Sequence, residues 1–342
     1  MRSVRMPSQV TLARLSKGLF AFSLAILCTT PVLAQDASGI EPLDLPWLQK
    51  VHKAARDLDY SGVIIYTQDQ SSQSMKLVHI IDGTGERERL EILDGEPREF
   101  LRQNEVTQCL IPEKKMVVIE RRENERFPSF LVGDVSQLPN FYDMRRLPSR
   151  ERVAGRPCDL IELVPKDDQR YGYRVCADTD HHLLLKMQTL DPQQVVVDQI
   201  AFASVAFGEQ VDLQELRTSW NPSKWEVVEP EVQKIDLSEL GWHLALPAGF
   251  SLRSEMLRPM RAGRQVTHLM MSDGLAAISV FLERVGTPEA EENSLGAFHR
   301  GSMNMYRSRI NDYVLTSTGA VPVQTLRALL EGTQFTPLSR TH

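Results

Sequence analysis

Positive charge is short, with 39 Lys and Arg against 45 Asp and Glu, and such a chain is a poor partner for the phosphates of nucleic acid. The apolar run Gly18 to Leu27 is about half of the roughly 20 residues that a membrane-spanning helix needs. Catalytic signatures are missing in turn. Gly83-Thr84-Gly85-Glu86-Arg87-Glu88 starts like a dinucleotide loop, but it lacks the third glycine and continues with strand alternation. No serine sits in a Gly-x-Ser-x-Gly elbow, and Cys109 lies in a strand pattern instead of at a helix start. His52, His79, His243, His268 and His299 have no ligand spacing, and the adjacent His181 and His182 would point to opposite faces of a strand. The residues therefore indicate no enzyme, no metal and no cofactor.

What is present begins with an export signal. Residues 1–34 carry Arg2, Arg5, Arg14 and Lys17 ahead of the apolar run, and small residues up to Ala34 suit a signal peptidase. Cleavage there leaves 35 basic and 45 acidic residues, a net charge of −10. Leu27 precedes Cys28 where lipidation requires a small residue, so a lipoprotein is not expected. Three cysteines, Cys109, Cys158 and Cys176, would reach an oxidising compartment, which suggests one pair and one left over.

The mature chain opens on a helix, with Trp47, Leu48, Val51, Ala54, Ala55 and Leu58 at spacings of three and four, Asp44 as its cap and Pro46 in its first turn. The period then changes to two. Strands are expected at 63–66, 76–81, 86–92, 98–102, 106–111 and 116–121, with Asp94-Gly95 as a hairpin turn placing Glu91 opposite Arg98. Residues 127–147 break the pattern and read as a loop with short helical pieces. Residues 152–186 follow as a hairpin pattern. Val153 to Val164 and Tyr171 to Cys176 are strands about the turn Pro165 to Gln169. Folded symmetrically about Asp167, this hairpin sets Ile161 opposite Tyr173, Leu163 opposite Tyr171 and Cys158 opposite Cys176, so a cross-strand disulfide is expected.

Two further strands, 183–190 and 195–207, complete antiparallel meanders too large to stay flat. Gly208 to Glu231, punctuated by Pro222 and Pro230 yet carrying Trp220 and Trp225, reads as an ordered connector. Strands at 242–246, 266–271, 276–284, 303–309 and 313–318 follow, with Ser272-Asp273-Gly274 as a turn and a closing helix at 322–331 ended by Gly332. The expected organisation is a signal peptide 1–34, a first domain 35–207, a connector to residue 234, a small α+β domain 235–335 and a tail 336–342.

Several pieces carry a family resemblance. Arg152-Val153-Ala154-Gly155-Arg156, Tyr171-Gly172-Tyr173 and Leu184-Leu185-Lys186 resemble the MucB/RseB family of periplasmic regulators, as do Glu86-Arg87-Glu88-Arg89-Leu90, Leu93-Asp94-Gly95, Arg98-Glu99 and Phe141-Tyr142-Asp143 upstream. Downstream, Leu246-Pro247-Ala248-Gly249-Phe250, Ser272-Asp273-Gly274-Leu275-Ala276, Ser279-Val280-Phe281 and Thr318-Gly319-Ala320-Val321-Pro322 resemble its second domain. The resemblance implies a fold that is mainly antiparallel β with α, in which an unclosed β-barrel like the lipoprotein carriers LolA and LolB is capped by helices and followed by a smaller α+β domain. It further implies a periplasmic regulator of sigma-E activity that binds the periplasmic region of an RseA/MucA-like anti-sigma factor, shields it from cleavage and responds to lipid, a lipoprotein acyl chain or a lipopolysaccharide fragment. A homodimer stays open. The alternative function is a carrier of lipid or lipoprotein, for which the second domain would have no evident use.

Candidate sites follow. Ile161, Leu163, Tyr171 and Tyr173 share one hairpin face and are candidates for a lipid site, with ordinary core under the Trp47 helix as the alternative. Arg253, Arg258, Arg261 and Arg264 stand out in the acidic background as either a solvated loop or a contact for a partner or anion. The mixed-charge run Glu86 to Arg89 reads as solvated strand surface or as a partner surface.

Overall fold

The computed structural model describes residues 41–42, 45–121, 135–260, 264–286 and 295–337. The expected signal peptide with its expected cleavage site, Asp44, Arg261 and the end of the tail lie outside the described residues. Helix α1 (Leu45–Asp57) buries Trp47, Leu48, Val51 and Ala54, the stripe that the spacing predicts. Around it the chain is mostly antiparallel sheet.

Thirteen strands form the first sheet: β1 (Glu41–Pro42), β2 (Tyr60–Gln68), β3 (Ser71–Asp82), β4 (Gly85–Ile92), β5 (Arg98–Gln103), β6 (Val106–Ile111), β7 (Met116–Arg121), β8 (Tyr142–Val153), β9 (Arg156–Pro165), β10 (Gly172–Asp178), β11 (Leu184–Leu190), β12 (Val196–Phe207) and β13 (Glu226–Val228). Its order is 1-8-9-10-11-12-2-3-4-5-6-7-13, so among the described residues it ends in two edges and does not close. One face carries an apolar cluster running through Tyr60, Ile64, Leu77, Leu160, Leu185 and Phe202. The opposite face of β9 and β10 carries Ile161, Leu163, Tyr173 and Val175 beneath Trp47, Leu48 and Val51.

The second sheet has seven strands: β14 (Gln233–Lys234), β16 (Ser251–Pro259), β17 (Gln265–Ser272), β18 (Ala277–Arg284), β19 (Gly296–Arg300), β20 (Met303–Ile310) and β21 (Tyr313–Gly319), in the order 14-16-17-18-21-20-19. Helix α3 (Val323–Gly332) covers one face with Leu326, Leu329 and Leu330, and β15 (Trp242–His243) pairs with β22 (Gln334–Phe335) beside it. The connector is built into both sheets. Its β13 runs parallel to β7 and its β14 pairs with β16.

Several expectations from the sequence need correction. Of the region 127–147, residues 127–134 lie outside the described residues; the short helix α2 (Leu138–Phe141) is one of the expected helical pieces, but from Tyr142 the chain is strand β8 and not loop. Strands β16 and β19 were not expected; their mixtures of Arg, Ser, Glu and His lack apolar alternation. The expected strand 242–246 shrinks to β15. Gly332 closes α3 from inside instead of following it. At Asp94-Gly95 the register differs by one residue, so that Glu91 faces Glu99 and Ile92 faces Arg98. A slip of one moves side chains to the other face.

The central hairpin is shifted by two. Leu163 faces Tyr173, Ile161 faces Val175, Cys158 faces Asp178 and Cys176 faces Leu160. A shift of two keeps every side chain on its expected face, because strand side chains repeat every second residue. Cys158 and Cys176 therefore still meet, as diagonal neighbours, and their disulfide spans a Cα–Cα distance of 5.4 Å. The neighbouring ladder is bulged between Cys176 and Ala177, and the added twist of a bulge draws the diagonal together. Cys109 is outside the bond, half-buried on β6. Replacing Cys158 and Cys176 together by Ala is expected to lower unfolding free energy by about 3 kcal/mol, the chain-entropy value for a loop of this size. Urea unfolding of the oxidised chain and the double variant measures it; equal midpoints would overturn the assignment of a stabilising bond.

Candidate functional site

The turn between β9 and β10 is the centre of a junction between the two sheets. Asp167 Oδ1 accepts from the Gln169 backbone N–H at 3.1 Å and from Arg170 Nε at 2.9 Å, which fixes the direction of the Arg170 side chain. Neither Arg170 nor Asp273 exposes any side-chain surface, and Arg170 Nη1 donates to Asp273 Oδ2 at 2.6 Å. Arg170 Nη2 donates to the Ala248 carbonyl. The guanidinium also lies 4.8 Å from the Phe141 ring centre and 5.3 Å from that of Phe250, within cation–π range. The Tyr142 hydroxyl donates to Asp273 at 3.1 Å. Burial, then the nearby Tyr173 and Asp273, push the Tyr142 phenol well above its ordinary range.

The surrounding contacts reinforce this pair. Ala248 N–H donates to Gln169 Oε1 at 3.1 Å, Thr325 Oγ1 donates to the Gln169 carbonyl at 2.9 Å, and Asn304 Nδ2 donates to the Tyr171 hydroxyl at 2.9 Å. Gly249 has φ +79°, and a Cβ there would sit 2.5 Å from the Phe141 ring, so only glycine fits this approach. A second contact joins Ser302 to Asp198, whose carboxylate also accepts from Tyr66. Burial and then Asp198 push the Tyr66 phenol up to about 12.

Beside the connector lies a cleft of about 760 Å³, lined from the first sheet by Glu120, from the connector by Val232, and from the second sheet by Met256, Arg258, His268 and Met270. Of the four arginines singled out in the sequence, Arg253 and Arg258 line it, and Arg258 Nη1 is 3.8 Å from Glu120. They lie on β16, so the solvated-loop alternative fails for them. Arg264 is 3.7 Å from Glu283. Arg261 lies outside the described residues.

The four hairpin residues divide. Ile161, Leu163 and Tyr173 are covered by α1, and Leu275 from the second sheet packs on the same cluster. Tyr171 turns its hydroxyl toward Asn304. In this structure the first three serve as core.

The run Glu86 to Arg89 is not solvated surface. The pleat of β4 sends Glu86 and Glu88 to one face and Arg87 and Arg89 to the other. On the first face Arg102 donates to Glu86 at 2.6 Å and Glu88 at 3.0 Å, and His79 Nε2 lies 3.1 Å from Glu86. On the second, Arg89 donates to Glu91 and Glu99, both at 2.8 Å, and to Ser219 at 2.9 Å. That second cluster clamps the connector, and Lys76 adds an ion pair to Glu215 at 2.7 Å. Burial raises the Glu88 carboxyl against the opposing pull of Arg102. Burial works in the same direction at Glu99, but bonds from Arg89, Thr218 and Ser219 outweigh it and hold that carboxyl low.

His79, Glu86 and Glu88 form one group that could hold a metal ion, and Asp178, Asp180 and His181 form another. Arg102 occupies the centre of the first and Arg156 bonds Asp178 and Asp180 in the second, so a guanidinium already supplies the cation in each. His181 and His182 lie in the turn after β10 and not in a strand.

A family model described as the MucB/RseB N-terminal domain matches residues 44–220, and one described as the MucB/RseB C-terminal domain matches residues 236–334. The chain belongs to the MucB/RseB family. It is 31% identical over 241 residues to the sigma factor AlgU regulatory protein MucB of Pseudomonas aeruginosa, covering 69% of this chain and 73% of that one. It is 25% identical over 317 residues to the sigma-E factor regulatory protein RseB of Haemophilus influenzae, covering 92% of this chain and 97% of that one. The solved complex of Pseudomonas aeruginosa MucA/MucB is similar at a TM-score of 0.66 and 25% identity, over 86% of this chain and 99% of that chain. Three of the pieces that carry the MucB/RseB resemblance in sequence meet at the junction, through Phe141 and Tyr142, Ala248 to Phe250, and Asp273.

Two outcomes follow for stability. Asp273→Ala takes one of its two carboxylates from a buried guanidinium and is expected to cost about 3–5 kcal/mol, whereas Arg170→Met with Asp273→Leu should recover only the share owed to the unpaired charge, because the double variant still lacks the Asp273 bonds to Tyr142, Leu275 and Ala276; chemical denaturation of the two variants decides. Glu99, Glu162 and Asp178 all have lowered carboxyl pKa values, because bonds from Arg89, from Arg174 and Arg145, and from Arg156 and His181 overcome their burial. Their stabilisation is therefore present above the unfolded carboxylate range, about pH 4, and is lost as pH falls through the folded values. Glu88, with its pKa raised, has the opposite sign. Melting temperature should fall steeply below about pH 4, and a flat calorimetric profile from neutral pH to pH 3 would contradict this account.

Proposed function

We propose that this protein is an exported negative regulator of a sigma-E-type stress response, which binds the periplasmic region of a membrane-bound anti-sigma factor and shields it from regulated cleavage. The observation that carries the reading is the extent of the likeness to MucB in its complex with MucA, since 99% of that chain is covered. Export by a signal peptide 1–34 cleaved near Ala34 is part of the proposal, as are two domains, 35–207 and 235–335, whose sheets are extended by β13 and β14 of the connector. The cleft with Arg253 and Arg258 is the proposed partner surface. A carrier of lipid would have no use for a second sheet fastened by Arg170 and Asp273.

Lipid is proposed as the releasing signal. An acyl chain would enter against Ile161, Leu163 and Tyr173 by displacing α1. That cluster also holds Tyr142 and Leu275, so a ligand there would disturb the contacts around Asp273. Binding and release are then reciprocal, and a coupling of about 1–3 kcal/mol corresponds to a 5–150-fold change in affinity.

Calorimetric titration of a purified anti-sigma periplasmic fragment against the mature chain, with and without a lipid, tests both steps. Binding that weakens by about tenfold or more at saturating lipid is expected, together with photo-crosslinks from an acyl probe in α1 or β9. If the fragment does not bind, the regulator reading fails. If it binds equally with lipid, or the crosslinks fall elsewhere, only the releasing step fails.

A further inference from the structure

Among the described residues the second sheet leaves one five-residue edge unpaired by another strand, with Gln68 Nε2 of the first sheet donating to the Arg300 carbonyl at its end at 3.0 Å. The other sheet ends among the described residues are strands of two or three residues, β1, β13 and β14, and short edges are how native sheets avoid unwanted pairing. Strand β19 is five residues long, ends its sheet and exposes Ala297 through Arg300. Its partners set three rows on the face away from α3: Gly296 with Arg307, Phe298 with Met305, and Arg300 with Met303. Phe298, Met305 and Met303 are exposed, and so is Leu295 just before the strand. An apolar pair therefore lies between two basic rows.

Arg307 makes this edge unlike a merely protected one. It is only 8% exposed, its Nε donates to Thr316 Oγ1 at 3.2 Å, and no carboxylate pairs with it among the described residues. A guanidinium so little exposed gains from a carboxylate brought beside it. The residue beside it on the edge strand is Gly296, where an added Cβ would meet nothing within 4 Å. Among the described residues, therefore, nothing fills the space directly beside Gly296. Arg300 and Arg309 also lack a carboxylate partner among the described residues, and strands β19, β20 and β21 contain no Asp or Glu, in a chain where acids outnumber bases. A charge placed only to repel other strands would need Arg300 alone.

We propose that β19 is a docking edge for an extended acidic peptide segment, which adds to the sheet as one more strand. Side chains on one face of an added strand recur every second residue. A segment of the pattern acid-x-apolar-x-acid places one carboxylate beside Gly296 and toward Arg307, its apolar residue beside Phe298 and Met305, and its second carboxylate beside Arg300. The pattern is the same read in either direction, so it suits parallel or antiparallel addition. The inference concerns a surface apart from the cleft and stands whether or not the anti-sigma reading holds.

The test uses the full mature chain and a fluorescein-labelled peptide, Thr-Glu-Thr-Val-Thr-Glu-Thr, read by fluorescence anisotropy at low and high salt. Binding is expected to weaken by about tenfold or more when both Glu are replaced by Lys, and to weaken with salt. Peptide methylated on every backbone nitrogen should not bind, because it cannot donate to the ladder whichever of its edges faces β19. Arg300→Glu and Phe298→Thr, both exposed and checked for folding by circular dichroism, should each weaken binding by about fivefold or more. No binding up to about 1 mM, or binding within twofold for the Lys or the methylated peptide, overturns the proposal. So does binding of phosphatidylglycerol vesicles by the same edge in place of the peptide, which would make it a lipid contact.

Discussion

Everything at the junction depends on one charge that cannot be left alone. Arg170 enters from the turn of the central hairpin with no exposed side-chain surface, and a guanidinium removed from water costs several kcal/mol unless its hydrogens and charge are matched. Matching it takes Asp167 from its own turn, Asp273 from a turn of the second sheet and the Ala248 carbonyl from the segment before β16. These three groups are held by different stretches of chain, so they coincide only when both sheets are folded and docked. Such a pair is weak evidence for net stability, since an apolar replacement of equal volume does as well. What it supplies is selectivity among arrangements, because a sliding of one sheet against the other strands a charge.

The same logic explains which parts of the site were legible. Most strands of the first sheet and their apolar faces were readable because burial on one side imposes alternation, and even the two-residue error in the hairpin left the disulfide in place. The Glu86 to Arg89 run was misjudged for a physical reason. Alternation of charge in a strand looks like solvated surface until its cross-strand partners are known, and the partners of Glu88 and Arg89 are Arg102 and Glu99 on the next strand. The one-residue change at Asp94-Gly95 decides that pairing, and turn geometry sets it more than composition does.

The second sheet was harder to read. Strands β16 and β19 hold few apolar residues at alternate positions, and each gains its place from a neighbour with a clear pattern, β17 for one and β20 for the other. Asp273 was visible as a turn residue in Ser272-Asp273-Gly274, and its role there is real: it accepts from the backbone of Leu275 and Ala276 at 2.9 and 2.8 Å. One oxygen does that local work while the other meets Arg170 and Tyr142. Nothing in the local sequence distinguishes such a residue from an ordinary turn former, because its second partner lies 103 positions away.

The arrangement also limits how the two sheets can respond to a ligand. Tyr142 belongs both to the apolar cluster under α1 and to the polar group around Asp273, so the two cannot repack independently. A group that displaced α1 would face a choice between leaving Tyr142 in place, with its ring less covered, and moving it, with Asp273 losing a donor. A buried charge pair does not loosen gradually, since partial separation raises its cost before water arrives to lower it. The junction should therefore exist either closed as seen or hydrated and open, and a ligand can shift that balance only by its difference in affinity for the two forms. Any signalling through this chain is bounded by that difference, and the narrowest place it can act is the contact between Tyr142, Asp273 and Arg170.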